Sequence, residues 1–169
     1  MKTVFLVGDF QEIRELATRV GVVIAGCVDK NGYSINESEL QWNSDDEFLK
    51  SKAEKRVFIT PDIPAVRRKL YHKYLKCGAD VVSLCCPTAN ISNSALLESF
   101  HCIQSNVNIS SNVTVCKGVK INTCANIMHD CYIGDFTTVA PNAVLLGSVH
   151  VGEGAYIGAN ATILPGVEI

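Results

Sequence analysis

The sequence predicts an α/β N-terminal domain with a small parallel sheet over residues 1–86, followed by a left-handed parallel β-helix over residues 87–169. Two observations carry this prediction. The first half alternates apolar runs with helix-like stretches, and the second half keeps an unbroken six-residue repeat.

In the first half, residues 4–7 form an apolar run that reads as a buried strand. Residues 11–20 follow, with Ile13, Leu16, Ala17 and Val20 at helical spacing. Residues 22–28 give a second strand that closes at Asp29, and Asn31-Gly32 is a turn signal. Residues 45–53 read as a short helix with Ser44 as its N-cap. A third strand at 57–60, a basic helix at 64–76 and a fourth strand at 81–84 complete the set. Strands that alternate with helices in this way argue for a parallel sheet.

The second half changes period. From Ile91, steps of six reach Leu97, Ile103, Ile109, Val115, Ile121, Ile127, Ile133, Val139, Leu145, Val151, Ile157, Ile163 and Ile169. A second row two residues earlier, from Val107 through Ala125, Cys131 and Ala143 to Val167, is small or β-branched throughout. Glycine follows the aliphatic position at Gly134, Gly152 and Gly158. A fixed period of this kind marks a repeat architecture. Six fits a coil with three flat sides, one hexapeptide each, so that residues 18 apart are vertical neighbours about 4.8 Å apart. Gly and Asn tolerate the positive φ that tight corners need.

The composition narrows the function classes. The chain has 169 residues, is 47% hydrophobic and carries a formal net charge of -2, which excludes a disordered chain and gives no sign of a nucleic-acid-binding surface. The first apolar run is too short for a signal peptide and no stretch approaches a membrane span, so a cytoplasmic protein is expected. The eight cysteines form no C-x-x-C pair and show no zinc-finger spacing with histidine, so no metal site is expected and the thiols read as small hydrophobes. Cys131, in the inward row, reads as a buried structural thiol rather than a nucleophile.

One segment is more specific than the repeat. Residues 121–136, Ile-Asn-Thr-Cys-Ala-Asn-Ile-Met-His-Asp-Cys-Tyr-Ile-Gly-Asp-Phe, resemble the N-T-x-A-x-V-x-H-D-x-x-I-G-D signature of the sialic acid O-acetyltransferase and nucleotide-amino-sugar N-acetyltransferase family. The runs 139–149 and 151–158 continue the likeness, and so does the N-terminal half, with Val28-Asp29 closing a strand and Arg67-Arg68-Lys69-Leu70 on a helix.

The resemblance implies an acetyl-CoA-dependent acetyltransferase acting on an amino or hydroxyl group of a sugar or nucleotide-sugar for surface glycans, as a homotrimer with its sites between subunits. Direct transfer needs a base for the nucleophile's proton and a donor for the oxyanion. His129 lies two residues past the inward Ile127 and so can leave the coil core; by resemblance it is the base and Asp130 orients it. Gly147, one coil above His129, and Ala159 are expected at acetyl-CoA, with the Gly147 N–H on the thioester carbonyl. Gly8, Asp29 and Asn122 are expected at the substrate.

The sequence also departs from the family pattern. The glycine-rich loop that approaches nucleotide phosphates is reduced here to Gly8, followed by Asp9, which would repel a phosphate. Met128 stands where an acidic residue is common, and Thr138 where a histidine is common; both of those would help place the acceptor. The sequence ends at Ile169 in mid-repeat. The alternative these departures leave open is a catalytically degenerate or truncated trimeric module that binds sugar or supports assembly.

Overall fold

The computed structural model describes residues 3–30 and 39–169. The N-terminal part runs β1 (Thr3–Val7), α1 (Gln11–Arg19), β2 (Val23–Val28), β3 (Leu40–Trp42), α2 (Asp45–Lys50), β4 (Arg56–Ile59), α3 (Pro64–Lys76) and β5 (Asp80–Val81). The five strands form one parallel sheet in the order β3-β2-β1-β4-β5. Strands β1 and β4 are buried nearly throughout, as expected for the centre of a parallel sheet covered on both faces. Helix α1 puts Ile13, Leu16 and Ala17 on the sheet, the spacing the sequence shows. Helix α2 begins at Ser44, whose Oγ accepts the Glu47 N–H at 3.2 Å, with Asp45, Asp46 and Glu47 in the first turn against the positive end of the helix dipole.

Three details differ from the sequence reading. Helix α2 stops at Lys50, with Ser51 as its C-cap, short of the expected 53. Strand β3 is short and exposed, with no apolar run to announce it. The single strand expected at 81–84 is two: β5 ends at Val81, and Leu84–Cys85 already belongs to the β-helix, paired with Cys102–Ile103. The Asn31-Gly32 turn lies outside the described residues.

The second part is a left-handed parallel β-helix of three flat faces. Face I stacks Leu84–Cys85, Cys102–Ile103, Lys120–Ile121, Thr138–Val139 and Tyr156–Ile157. Face II stacks Asn90–Ile91, Asn108–Ile109, Asn126–Ile127, Val144–Leu145 and Thr162–Ile163. Face III stacks Leu96–Leu97, Thr114–Val115, Tyr132–Ile133 and His150–Val151. Each pair is in 18-residue register, for instance Ile109 with Ile127 and Ile127 with Leu145. From Ile91 to Ile163 the inward rows form one continuous core, in which Val107, Ile109, Ala125, Ile127, Ala143 and Leu145 are fully buried, whereas Val167 and Ile169 are exposed.

The corners refine the glycine argument. Positive φ recurs every six residues from Phe100 to Gly166, three residues past the inward aliphatic rather than one. Asn fills it at 106, 112, 142 and 160 and Gly at 118, 154 and 166, while Phe100, Cys124, Asp130, Phe136 and Ser148 hold it with ordinary side chains. Gly134 serves another purpose: a β-carbon there would lie 2.7 Å from the Gly152 carbonyl carbon, so the close stacking of these coils demands glycine.

Helix α3 fastens the two parts. Arg67 is 2% exposed, and its guanidinium donates to the carbonyls of Pro61 and Asp62 and, across the boundary, to those of Gly118, Phe136 and Thr137 and to Thr138 Oγ1. Burial pushes the Arg67 pKa down to about 10, which leaves it charged at neutral pH. The buried Lys120 on face I donates to the Thr60 carbonyl at 3.0 Å and pairs with Asp62 at 2.6 Å. Beside them Tyr71 of α3 stacks on Phe100 at 5.1 Å, and Phe136 meets the same tyrosine edge-on.

Candidate active site

The β-helix turns sharply between faces II and III. Vertically stacked at that corner are Asn93-Ser94, Ser111-Asn112, His129-Asp130, Gly147-Ser148 and Pro165-Gly166, each pair one coil above the last. His129 ends the flat side and Asp130 occupies the positive-φ position, at φ 61°. The backbone bends between them, and the two side chains meet: His129 Nδ1 lies 2.8 Å from Asp130 Oδ2. A carboxylate can only accept, so Nδ1 carries the proton and Nε2 presents its lone pair. Both side chains are about half exposed, at 56% and 50%, so the imidazole is open to an incoming substrate. Hydrogen bonds from His129 and then Asn112 hold the Asp130 carboxyl below the usual carboxylate range, which keeps it ionised near neutral pH.

Gly147 sits directly above. The imidazole packs on its α-carbon so closely that a β-carbon would lie 2.6 Å from Cε1 and 2.7 Å from Nε2. Ser148 N–H donates to the His129 carbonyl and the Gly147 carbonyl accepts from Gly166, which fix the strand on either side. The Gly147 N–H has no acceptor among the described residues. An ionised hydrogen-bonded acid, an imidazole with a free Nε2 and an unspent backbone donor on the next coil thus share one corner. That set can take a proton from a nucleophile and stabilise an oxyanion.

The other expected site residues lie elsewhere in the chain. Asn122 and Ala159 belong to the corner between faces I and II, so they are separated from Gly147 by a full side of the prism. Asn122 is 4% exposed, and its Oδ1 has no partner among the described residues. Ala159 is exposed. Thr138 is fully buried where α3 meets the β-helix, donating to the Asp62 carbonyl at 2.6 Å and accepting from Arg67, so in this chain that position fastens α3 to face I. Cys131 is 1% exposed with Sγ 3.1 Å from the Leu146 carbonyl, and burial raises its pKa, as a structural thiol requires.

Gly8 and Asp29 sit together at the carboxyl ends of β1 and β2, in a cavity also lined by Asn43, Ser44, Pro61 and Lys73. This is where the strand order reverses, the usual ligand crevice of an open parallel sheet. Gly8 has φ 88°, and a β-carbon would overlap Thr60 Oγ1, so glycine is obligatory. The Asp9 N–H donates to Asp29 Oδ2 at 3.0 Å, and the nearly buried Asp9 carboxylate is paired with Arg14, itself bound to Glu39 at 2.7 Å. Asp9 thus shares the single Arg14 cation with Glu39, and its N–H is spent on Asp29.

Asn112 was not singled out by the sequence reading. Its amide Nδ2 donates to Asp130 Oδ1 at 3.0 Å. Its 18-residue offset from Asp130 was the available signal.

Known proteins share this fold. No family model matches the chain. It is 30% identical over 121 residues to the GDP-perosamine N-acetyltransferase of Escherichia coli O157:H7, covering 71% of this chain and 55% of that protein, so the chain spans about half the length of this curated relative. The acetyltransferase domain of PglB from Neisseria gonorrhoeae superposes with a TM-score of 0.83 at 19% identity, over 99% of this chain and 93% of that one. A histidine-to-alanine mutant of the GDP-perosamine N-acetyltransferase from Caulobacter crescentus, in complex with CoA and GDP-perosamine, superposes with a TM-score of 0.78 at 18% identity, over 99% and 90%. Among the described residues no helix is long and apolar enough to cross a membrane. By its repeat, its two-part fold and its sequence, the chain belongs to the sugar N-acetyltransferase family of hexapeptide-repeat acyltransferases.

Proposed function

We propose that the chain is an acetyl-CoA-dependent acetyltransferase whose acceptor is an amino or hydroxyl group of a sugar carried on a nucleotide, in the making of a surface glycan. The observation that carries this reading is the His129–Asp130 pair facing a glycine with an unspent N–H. Asp130 holds Nδ1–H and so leaves Nε2 to accept the proton of the attacking amine or hydroxyl. The attack forms a bond to the acetyl carbonyl carbon, and the Gly147 N–H receives the developing oxyanion. The C–S bond then breaks, and the proton on Nε2 passes to the departing thiolate. No acyl-enzyme is needed. GDP-perosamine and CoA in the complexes of the similar structures support a nucleotide-sugar acceptor and a CoA donor here. The crevice at Gly8 and Asp29, at the carboxyl ends of β1 and β2, is the place for the nucleotide in this reading.

A cytoplasmic homotrimer completes the reading. Face III, next to the His129 corner, exposes Leu96 (66%) and Tyr132 (37%). A second copy against this face would cover them and wall a groove around the imidazole, and Ala159 of that copy would then line the coenzyme. Sedimentation should give three times the 18.3 kDa chain mass.

The experiment is calorimetry with acetyl-CoA on this chain and on His129→Ala, followed by an acetyl-transfer assay against amino-sugar nucleotides. Micromolar binding by both, with transfer only by the unmodified chain, supports the reading. Absence of acetyl-CoA binding by either sinks it and leaves a binding or assembly module.

A further inference from the structure

The corner that carries His129 is hydrogen-bonded along its own axis. Ser94 Oγ accepts the Asn112 N–H at 3.0 Å, Asn112 Nδ2 donates to Asp130 Oδ1 at 3.0 Å, and Asp130 Oδ2 accepts from His129 Nδ1 at 2.8 Å. The first two links each span one 18-residue coil, so the solenoid register itself brings these groups together. Asn112 stands at φ 58°, a conformation Asn adopts more readily than most residues, and this backbone turns its amide upward at the next coil. Facing a carboxylate, the amide must present NH2, which fixes its orientation.

We propose that Asn112 is a positioning residue for His129, acting through Asp130: by occupying Oδ1 it confines the carboxylate to the rotamer in which Oδ2 meets Nδ1–H. This inference rests on the reading of His129 as the base. The exposed Asp130 side chain has no other hydrogen-bond donor among the described residues. Without Asn112 it would swing about χ1 and χ2 and share its charge with water. The imidazole would then lose its fixed ring plane and part of its preference for the Nδ1–H tautomer. The contribution of Asn112 to the lowered Asp130 pKa agrees with this geometry.

The variant to make is Asn112→Gly, which keeps the positive φ at no steric cost and removes the amide. Three readouts apply. Imidazole nitrogen NMR of His129 should show the Nδ1–H tautomer losing population to the Nε2–H form, and carboxyl carbon NMR should show the Asp130 midpoint moving up toward the ordinary carboxylate range. In the transfer assay kcat should fall about three- to tenfold, the modest effect expected of a solvent-exposed hydrogen bond, with KM for acetyl-CoA unchanged. Asn112→Gln, whose longer amide can still reach toward Oδ1, should recover part of the tautomer bias. An unchanged tautomer ratio in Asn112→Gly overturns the proposal. That result is distinct from failure of the catalytic reading, which is full transfer activity in His129→Ala. The NMR readouts need no substrate and decide the role of Asn112 independently of the acceptor.

Discussion

The imidazole of His129 rests on the α-carbon of Gly147, one coil above it, in a space where no β-carbon fits. Glycine at 147 is therefore required by the histidine beside it and not by its own backbone, which has no positive φ. The same residue leaves its N–H unspent, so the absence of a side chain and the availability of a donor coincide at one position.

Gly147→Ala should separate stability from chemistry. The obstructed group is the far end of a half-exposed side chain, which can rotate away, so the fold should lose less than about 1 kcal/mol. The rotation would take Nε2 out of line with the acceptor, and transfer should fall by about a hundredfold. Thermal unfolding and steady-state kinetics on the same preparation check this; a variant with full activity would show that the imidazole has no fixed working position.

Arg67→Met should be far costlier to stability. It removes every donor of a buried guanidinium and leaves the carbonyls of Gly118 and Phe136 facing an apolar side chain at the domain boundary. Losses of about 3 kcal/mol or more follow from buried acceptors left unpaired. For a chain of this size that corresponds to a fall in Tm of about 10 °C. Calorimetry checks it, and loss of the boundary should also split a single transition into two. A Tm within about 2 °C of the unmodified chain would show that Arg67 does not fasten the domains.

Cys86 gives a pH dependence. Burial alone would raise its thiol pKa, but hydrogen bonds from Ser105, Thr88 and Arg19 outweigh burial and bring it to about 7, from an ordinary value of 9.0. Its folded value is depressed, so between pH 7 and 9 the unfolded chain holds more protons on this group than the folded one. The stabilisation is fully present above pH 9 and is lost as pH falls through 7. Urea unfolding at pH 6.5 and 8.5 should therefore show a rise in stability that is smaller in Cys86→Ala. An equal rise in both proteins would mean that other groups produce it.

The sequence by itself determined the solenoid. Parallel stacking in 18-residue coils has only one register that keeps Ile103, Ile121 and Val139 inside together, and a strict phase of six leaves no alternative arrangement of the core. It also determined α1 and α3, whose apolar spacing and N-terminal proline are local signals. The His129-Asp130 dipeptide was legible because its motif is contiguous. The tertiary structure decided what contiguity cannot carry. Strand β3 is too short and exposed to show a pattern, and Val81 and Leu84 part because one run of chain serves two sheets. The fastening of Thr138 to Arg67, the pairing of Asp9 with Arg14, and the meeting of Asn112 with Asp130 are contacts between side chains distant in sequence. Such contacts depend on which faces the folded elements turn toward each other, and periodicity along one element does not contain that information.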